Sequence, residues 1–283
     1  MFVSLRLLLI AVVLLLPVNA PSTAQISSQS SEPSAPPLAL TEIPIFVYHH
    51  IDNHTSPWDV RTARFEEQLT YLMENDYQTI SMEAYSNAIQ NGEALPAKPV
   101  ILTFDDGFDD AYNVAFPLLK QYGMTGTFYV ITGRVGQPGY LTWDQITEMH
   151  AAGMEIGGHT IHHPFLTQLP TLDAFREILG SRLDLEAHLK SPVTTFAYPY
   201  NDHNFQTVAM AALAGYRSAC IVDMHTGDQI FTPYRIPRNT VTPGESMSVF
   251  ELVAHRGYRG HQPPPENVAK IGTPIAPVAT SAK

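Results

Sequence analysis

Two short stretches of the chain concentrate groups that could do chemistry. "TFDDG", Thr103 to Gly107, sets Asp105 beside Asp106, and "GGHTIHHP", Gly157 to Pro164, sets His159 and His163 four residues apart. Imidazoles at that spacing can turn toward one metal ion. Two histidines, one carboxylate and open positions for water form a common catalytic metal set. Either aspartate could complete it, which leaves the other free as a base. Adjacent strand residues point to opposite faces, so the two carboxylates are expected to do different jobs.

Each stretch ends an apolar, β-prone run, and such runs recur along the chain: "IPIFVY", "YQTIS", "PVILTF", "TGTFYVI", "MEIGG", "TTFAY" and "SACIV". Between them lie helical patterns. The spacing of Phe65, Leu69, Leu72 and Met73 predicts a helix with these four on one face. "DAYNVAFPLLKQYG", residues 110–123, predicts another, closed by Gly123 and started or kinked by Pro117. Thr142 can cap a third, ended by Gly153. Strand and helix alternating this often imply an α/β fold with a mostly parallel sheet, a (β/α) barrel or a doubly wound sheet. In both, function gathers at the carboxyl ends of the strands.

The 283 residues are 45% hydrophobic and 15% charged, a composition that builds one sizeable core. Residues 1–24 carry Arg6 and then an apolar run from Leu7 to Val18, broken by Pro17. This reads as a secretory signal peptide cut after Ala24, or an uncleaved anchor, and implies export. Residues 25–42 form a Ser/Pro-rich linker and 261–283 a Pro-rich tail, leaving 43–260 as the folded domain. Cys220 is the only cysteine, so no intramolecular disulfide can form; its place mid-run makes it a small buried hydrophobe rather than a nucleophile. The formal net charge of −11 argues against nucleic acid and anionic membrane surfaces as partners.

"TFDDG" followed by "HTIHHP" resembles the paired motifs of the polysaccharide deacetylases of the NodB type, carbohydrate esterase family 4. The resemblance runs from about Ile43 to Val241. It implies a distorted, incomplete (β/α) barrel and hydrolytic N-deacetylation of N-acetylglucosamine units in an exported polysaccharide, with release of acetate. Carried over, it makes Asp105 the general base and Asp106, His159 and His163 ligands of a divalent metal, with Zn²⁺ favoured and Co²⁺, Ni²⁺ or Mn²⁺ open. "FVYHHID" and "FAYPYND" look like the branch containing poly-β-1,6-N-acetylglucosamine deacetylases. There the histidine after the tyrosine, His49 here, is the general acid; His50 should point the other way. Tyr200 matches the position whose backbone N–H binds the oxyanion. One departure stands out: Ala197 replaces the arginine that steadies the catalytic aspartate in many members. Arg235, or failing it Arg238, in "YRIPR" could arrive from elsewhere in the barrel.

Other polar residues have plainer readings. Asp109 and Asp110 fit a helix N-cap and first-turn charge. Asp223 fits a turn, and His162 faces away from its neighbours. His54, His150, His188, His203, His225, His255 and His261 match no motif. Trp58 and Trp143 could pack in the core or stack on sugar rings. Two other functions fit the chain: a silent glycan-binding module on the same fold, for which Ala197 is the one argument, and a metal-dependent hydrolase of another acyl ester. A phosphoester substrate would call for Arg or Lys beside the motifs, and none is there. The sequence names no protein partner.

Overall fold

The structure, a computed structural model, describes residues 43–52, 58–222 and 232–256. The signal peptide, linker and tail expected at 1–24, 25–42 and 261–283 lie outside these residues, as do His54, Asp223, His225 and His261. Eleven strands are described: β1 (Ile45–Tyr48), β2 (His50–Ile51), β3 (Asp59–Val60), β4 (Gln78–Thr79), β5 (Pro99–Phe104), β6 (Thr127–Val130), β7 (Glu155–Gly158), β8 (Thr195–Ala197), β9 (Ser218–Ile221), β10 (Ile236–Pro237) and β11 (Asn239–Thr240). The helices are α1 (Thr62–Glu74), α2 (Met82–Asn91), α3 (Phe116–Gln121), α4 (Trp143–Ala151), α5 (Thr171–Leu189), α6 (Phe205–Leu213) and α7 (Met247–Arg256).

The main sheet runs β10-β9-β8-β7-β6-β5-β1-β11, with β4 beside β5 and all pairings parallel. Its two edges are consecutive in the chain: β10 pairs with β9, β11 pairs with β1, and only Arg238 separates β10 from β11. The sheet therefore curls into a nearly closed, distorted (β/α) barrel whose seam is a strand broken at one residue. All seven β-prone runs form strands of this sheet.

Alternation along each strand divides the core in two. Ile45, Ile101, Tyr129, Ala197, Cys220 and Ile236 point inward and pack together. Phe46, Leu102, Phe128, Ile156, Phe196 and Ala219 point outward and belong to the larger cluster that the helices cover. Gly157 faces inward against the Tyr129 ring, where a Cβ would come within 2.5 Å of ring carbons. Only glycine leaves room for that ring.

The helices follow their sequence signals with two exceptions. Phe65, Leu69 and Leu72 are buried on α1, but Met73 is half exposed, off the packed face. The segment at 110–123 is not one regular helix: Ala111–Ala115 form a widened π turn before α3, which starts with Pro117 in its first turn. Proline has no N–H to bond back, and the wider turn absorbs the missing bond. Thr142 caps α4 in a reciprocal box with Gln145, as its position predicts. Among the described residues no helix is long and apolar enough to cross a membrane.

Candidate active site

Inward parity, extended past the strand ends, assembles the site. Along β1, Ile45 faces the interior and so does His49 four residues on. Along β5, Ile101 leads to Thr103 and Asp105; along β7, Gly157 leads to His159; along β10, Ile236 leads to Arg238. Four chain segments thus deliver four polar groups to the layer above the barrel's apolar filling, at the carboxyl end where the alternation of strands and helices placed function.

Asp105 and Arg238 are the most tightly fixed of these. Both guanidinium ends donate to the carboxylate, Nη1 to Oδ1 and Nη2 to Oδ2, each at 2.7 Å. Arg238 is 1% exposed and Asp105 4%. Nη1 also donates to Thr103 Oγ1 at 3.0 Å, and the guanidinium lies 5.3 Å above the Tyr129 ring. Burial pushes the Asp105 carboxyl up, but the Arg238 guanidinium, with smaller help from His159 and His49, offsets it and leaves the group below its ordinary value.

The residue expected first for this role, Arg235, is therefore corrected to Arg238. Strand period explains why: Arg238 shares the inward parity of Ile236, while Arg235 has the opposite parity. The apolar Ile236 was the signal that could have separated the two arginines.

Asp106 departs from strand parity. It has φ 73° and Gly107 follows at φ 74°, so the chain turns left-handed immediately after Asp105. The turn swings the Asp106 carboxylate over the same cavity, where strict alternation would have sent it to the opposite face. Its Oδ1 lies 3.3 Å from His159 Nε2 and 3.3 Å from His163 Nε2, and the two Nε2 atoms are 3.2 Å apart. His159 Nδ1 lies 2.8 Å from the Ala197 carbonyl oxygen. A carbonyl can only accept, so Nδ1 carries the proton and Nε2 turns its lone pair inward.

Three electron-rich atoms thus face one another, an arrangement that a shared cation relieves. Tetrahedral ligands on bonds of about 2.0–2.1 Å sit about 3.3–3.4 Å apart, so this triangle fits one face of a zinc site and leaves the fourth position open. Burial pushes His163 down to about 4, so its imidazole is neutral and able to ligate. Burial also lowers His159, but the Asp106 carboxylate, with Asp105 and the Ala197 carbonyl, reverses the shift and raises it, so a proton competes for this nitrogen.

His49 lies beside this cluster, half-buried, its ring 4.7 Å from that of Trp58. Its Nδ1 is buried with no hydrogen-bond partner. Burial lowers its pKa, against the pull of Asp106 and Asp105. His50 has the opposite parity, as expected, and pairs through Nδ1 with Asp110 Oδ2 at 2.7 Å while stacking on Phe108. Asp110, expected as a first-turn charge, makes no side-chain cap bond and turns to His50. Tyr200 adopts φ 55° and ψ 18° in the turn after β8; its ring meets His163 at 4.3 Å and stacks on Phe165 at 4.1 Å. Sequence reasoning missed Phe165, which no motif marks.

Of the remaining candidates, Trp58 reaches the site and Trp143 does not. The Trp143 ring stacks on His188 at 3.6 Å and packs against the outer core. His162 faces away, 70% exposed, and bonds Glu177. Cys220 is buried inside the barrel, and burial pushes its thiol up to about 11, which leaves it inert as a nucleophile.

Known proteins resemble this chain in sequence and in fold. The family model described as polysaccharide deacetylase matches residues 92–219. The chain is 31% identical over 209 residues to YxkH of Bacillus subtilis (strain 168), named as a polysaccharide deacetylase, covering 74% of this chain and 75% of that one. It is 25% identical over 195 residues to the poly-beta-1,6-N-acetyl-D-glucosamine N-deacetylase of Staphylococcus aureus (strain N315), covering 64% and 67%. Among solved structures, the Streptococcus pyogenes deacetylase PplD in complex with acetate matches with a TM-score of 0.68 and 30% identity, over 75% of this chain and 97% of that one.

Proposed function

The chain belongs to the polysaccharide deacetylase family, of the NodB or carbohydrate esterase 4 type, and we propose that it is a metal-dependent hydrolase that removes N-acetyl groups from N-acetylglucosamine units of an extracellular polysaccharide. The observation that carries this reading is the buried Asp105–Arg238 pair standing beside the Asp106, His159 and His163 triangle in one barrel mouth.

Asp106, His159 and His163 would hold the metal; their donors suit Zn²⁺, and Co²⁺, Ni²⁺ or Mn²⁺ could fill the same set. When bound, such an ion lowers the pKa of a water molecule and polarises a carbonyl oxygen. Asp105 takes the proton of the attacking water. Arg238 keeps that carboxylate ionised and fixed in direction, which a base needs before it can act. As negative charge grows on the acetyl oxygen, the Tyr200 backbone N–H donates to it; losing one such donor typically costs about 3 kcal/mol. The amine cannot leave as an anion, and His49 protonates it. The products are acetate and a glucosamine unit.

Ala197 was the one argument for a silent binding module. With Arg238 on Asp105, the role of the absent arginine is filled and that argument lapses. The name of the Staphylococcus aureus relative and the segments around His49 and Tyr200 favour a poly-β-1,6-linked substrate. Residues 43–260 would form the catalytic domain, exported by the signal peptide at 1–24, and the net charge of −11 would tolerate a cationic product. The test is acetate release from β-1,6- and β-1,4-linked N-acetylglucosamine oligomers by the protein and its Asp105→Asn variant. Faster release from the β-1,6 series, falling at least about 100-fold in the variant, is expected. Undiminished release by the variant would remove Asp105 from the mechanism.

A further inference from the structure

The loop that carries both histidine ligands is conformationally unusual. Thr160 has φ 65° and His163 φ 58°, so two of its five residues occupy the left-handed region without being glycine. Such a backbone persists only where its surroundings determine it. One side is clipped by β6's continuation: Thr132 N–H donates to Thr160 O at 3.2 Å and Gly133 N–H to Ile161 O at 2.8 Å. The other side rests on α5.

There a single carboxylate collects three donors. Glu177 Oε2 accepts from the backbone N–H of Ile161 at 3.0 Å and of His162 at 2.8 Å, and Oε1 lies 2.7 Å from His162 Nδ1. The Glu177 side chain is only 14% exposed. One turn further along the same helix face, Gly180 admits the Ile161 side chain; a Cβ there would come within 2.4 Å of it. Another turn on, Asp184 accepts from Thr132 Oγ1 at 2.8 Å, anchoring the neighbouring loop. Residues 177, 180 and 184 thus form one stripe of α5 that docks the two loops.

We propose that Glu177 is a positioning residue: by holding the two N–H groups between the ligands, it sets the separation of His159 and His163 and thereby the affinity of the site for its metal. The inference rests on the reading of Asp106, His159 and His163 as metal ligands. Its working contacts are the backbone donors, and the His162 imidazole is dispensable. Glutamine at 177 offers one acceptor oxygen for the same N–H groups, whereas alanine offers none.

The test is Zn²⁺ affinity, measured by competition with a chromophoric chelator, for the full chain and its Glu177→Ala, Glu177→Gln and His162→Ala variants. Thermal melts of the metal-free forms report folding. A 10- to 100-fold weaker affinity is expected for Glu177→Ala, an intermediate loss for Glu177→Gln, and an affinity within twofold of the parent for His162→Ala. Should Glu177→Ala fail to fold, Glu177→Gln carries the comparison. Parent-like affinity in the folded glutamate variants overturns the inference while leaving the metal site intact. A parent protein that binds no Zn²⁺, Co²⁺, Ni²⁺ or Mn²⁺ overturns the metal reading itself, and the inference with it.

Discussion

Asp105 shows how a single residue's properties are set by a partner far away in sequence. Alone in that layer, a buried carboxyl would be driven toward its neutral form; the Arg238 fork at 2.7 Å holds it ionised. Arg238→Gln should therefore destabilise the fold by about 3–5 kcal/mol, because it leaves a buried charge unpaired. It should also let the Asp105 pKa rise, moving the acid limb of the activity profile to higher pH. Arg235→Gln should leave that limb in place. Denaturation curves and pH–rate profiles of both variants check this. Asp105, Asp106, His159 and His163 were legible in the sequence because their motifs are local. Arg238 lies 133 positions from Asp105 and stood second to Arg235 in the sequence, because only strand parity separates the two. Asp106 joins His159 and His163 through a left-handed turn that simple alternation does not anticipate.

At the scale of elements, the parallel strands act as rails that deliver side chains to one layer, and small departures from regularity matter. Gly157→Ala would press a methyl group into the Tyr129 ring, on which the Arg238 guanidinium rests, and should cost about 1–3 kcal/mol by overpacking. An unchanged denaturation midpoint would contradict the packing described. β2 and the turn before α3 are joined by His50 and Asp110. Burial lowers the His50 pKa, but Asp110 outweighs it, with smaller help from Asp59 and Asp106, and the net shift is upward. A raised folded-state pKa adds stability that is fully present below the unfolded value of about 6.5 and is lost as pH rises through the folded value. The stability difference between the protein and His50→Gln should thus be larger at pH 5.5 than at pH 8, by about 1 kcal/mol or less. A difference independent of pH would remove the ion pair from the account. Asp110 reads as a first-turn charge because local sequence offers a helix start, whereas its partner sits 60 residues away.

For the whole molecule, the repeating β-prone runs were enough to foresee a parallel sheet, and each of the seven forms a strand. Closure was not legible from periodicity. β10 and β11 have two residues each, too few for any apolar pattern, and the barrel expectation came from resemblance to a family. Yet this seam bears directly on the candidate site, since closing the barrel at Arg238 is the same event that pairs Asp105. One residue completes both the barrel seam and the Asp105 ion pair. The central claim, that this mouth is a metal-dependent deacetylase site, is tested most directly by acetate release from an N-acetylglucosamine oligomer before and after chelation, followed by metal add-back. Release that stops with chelator and returns with Zn²⁺ or Co²⁺ is the predicted result. Release that continues at full rate in fully chelated protein would contradict the account.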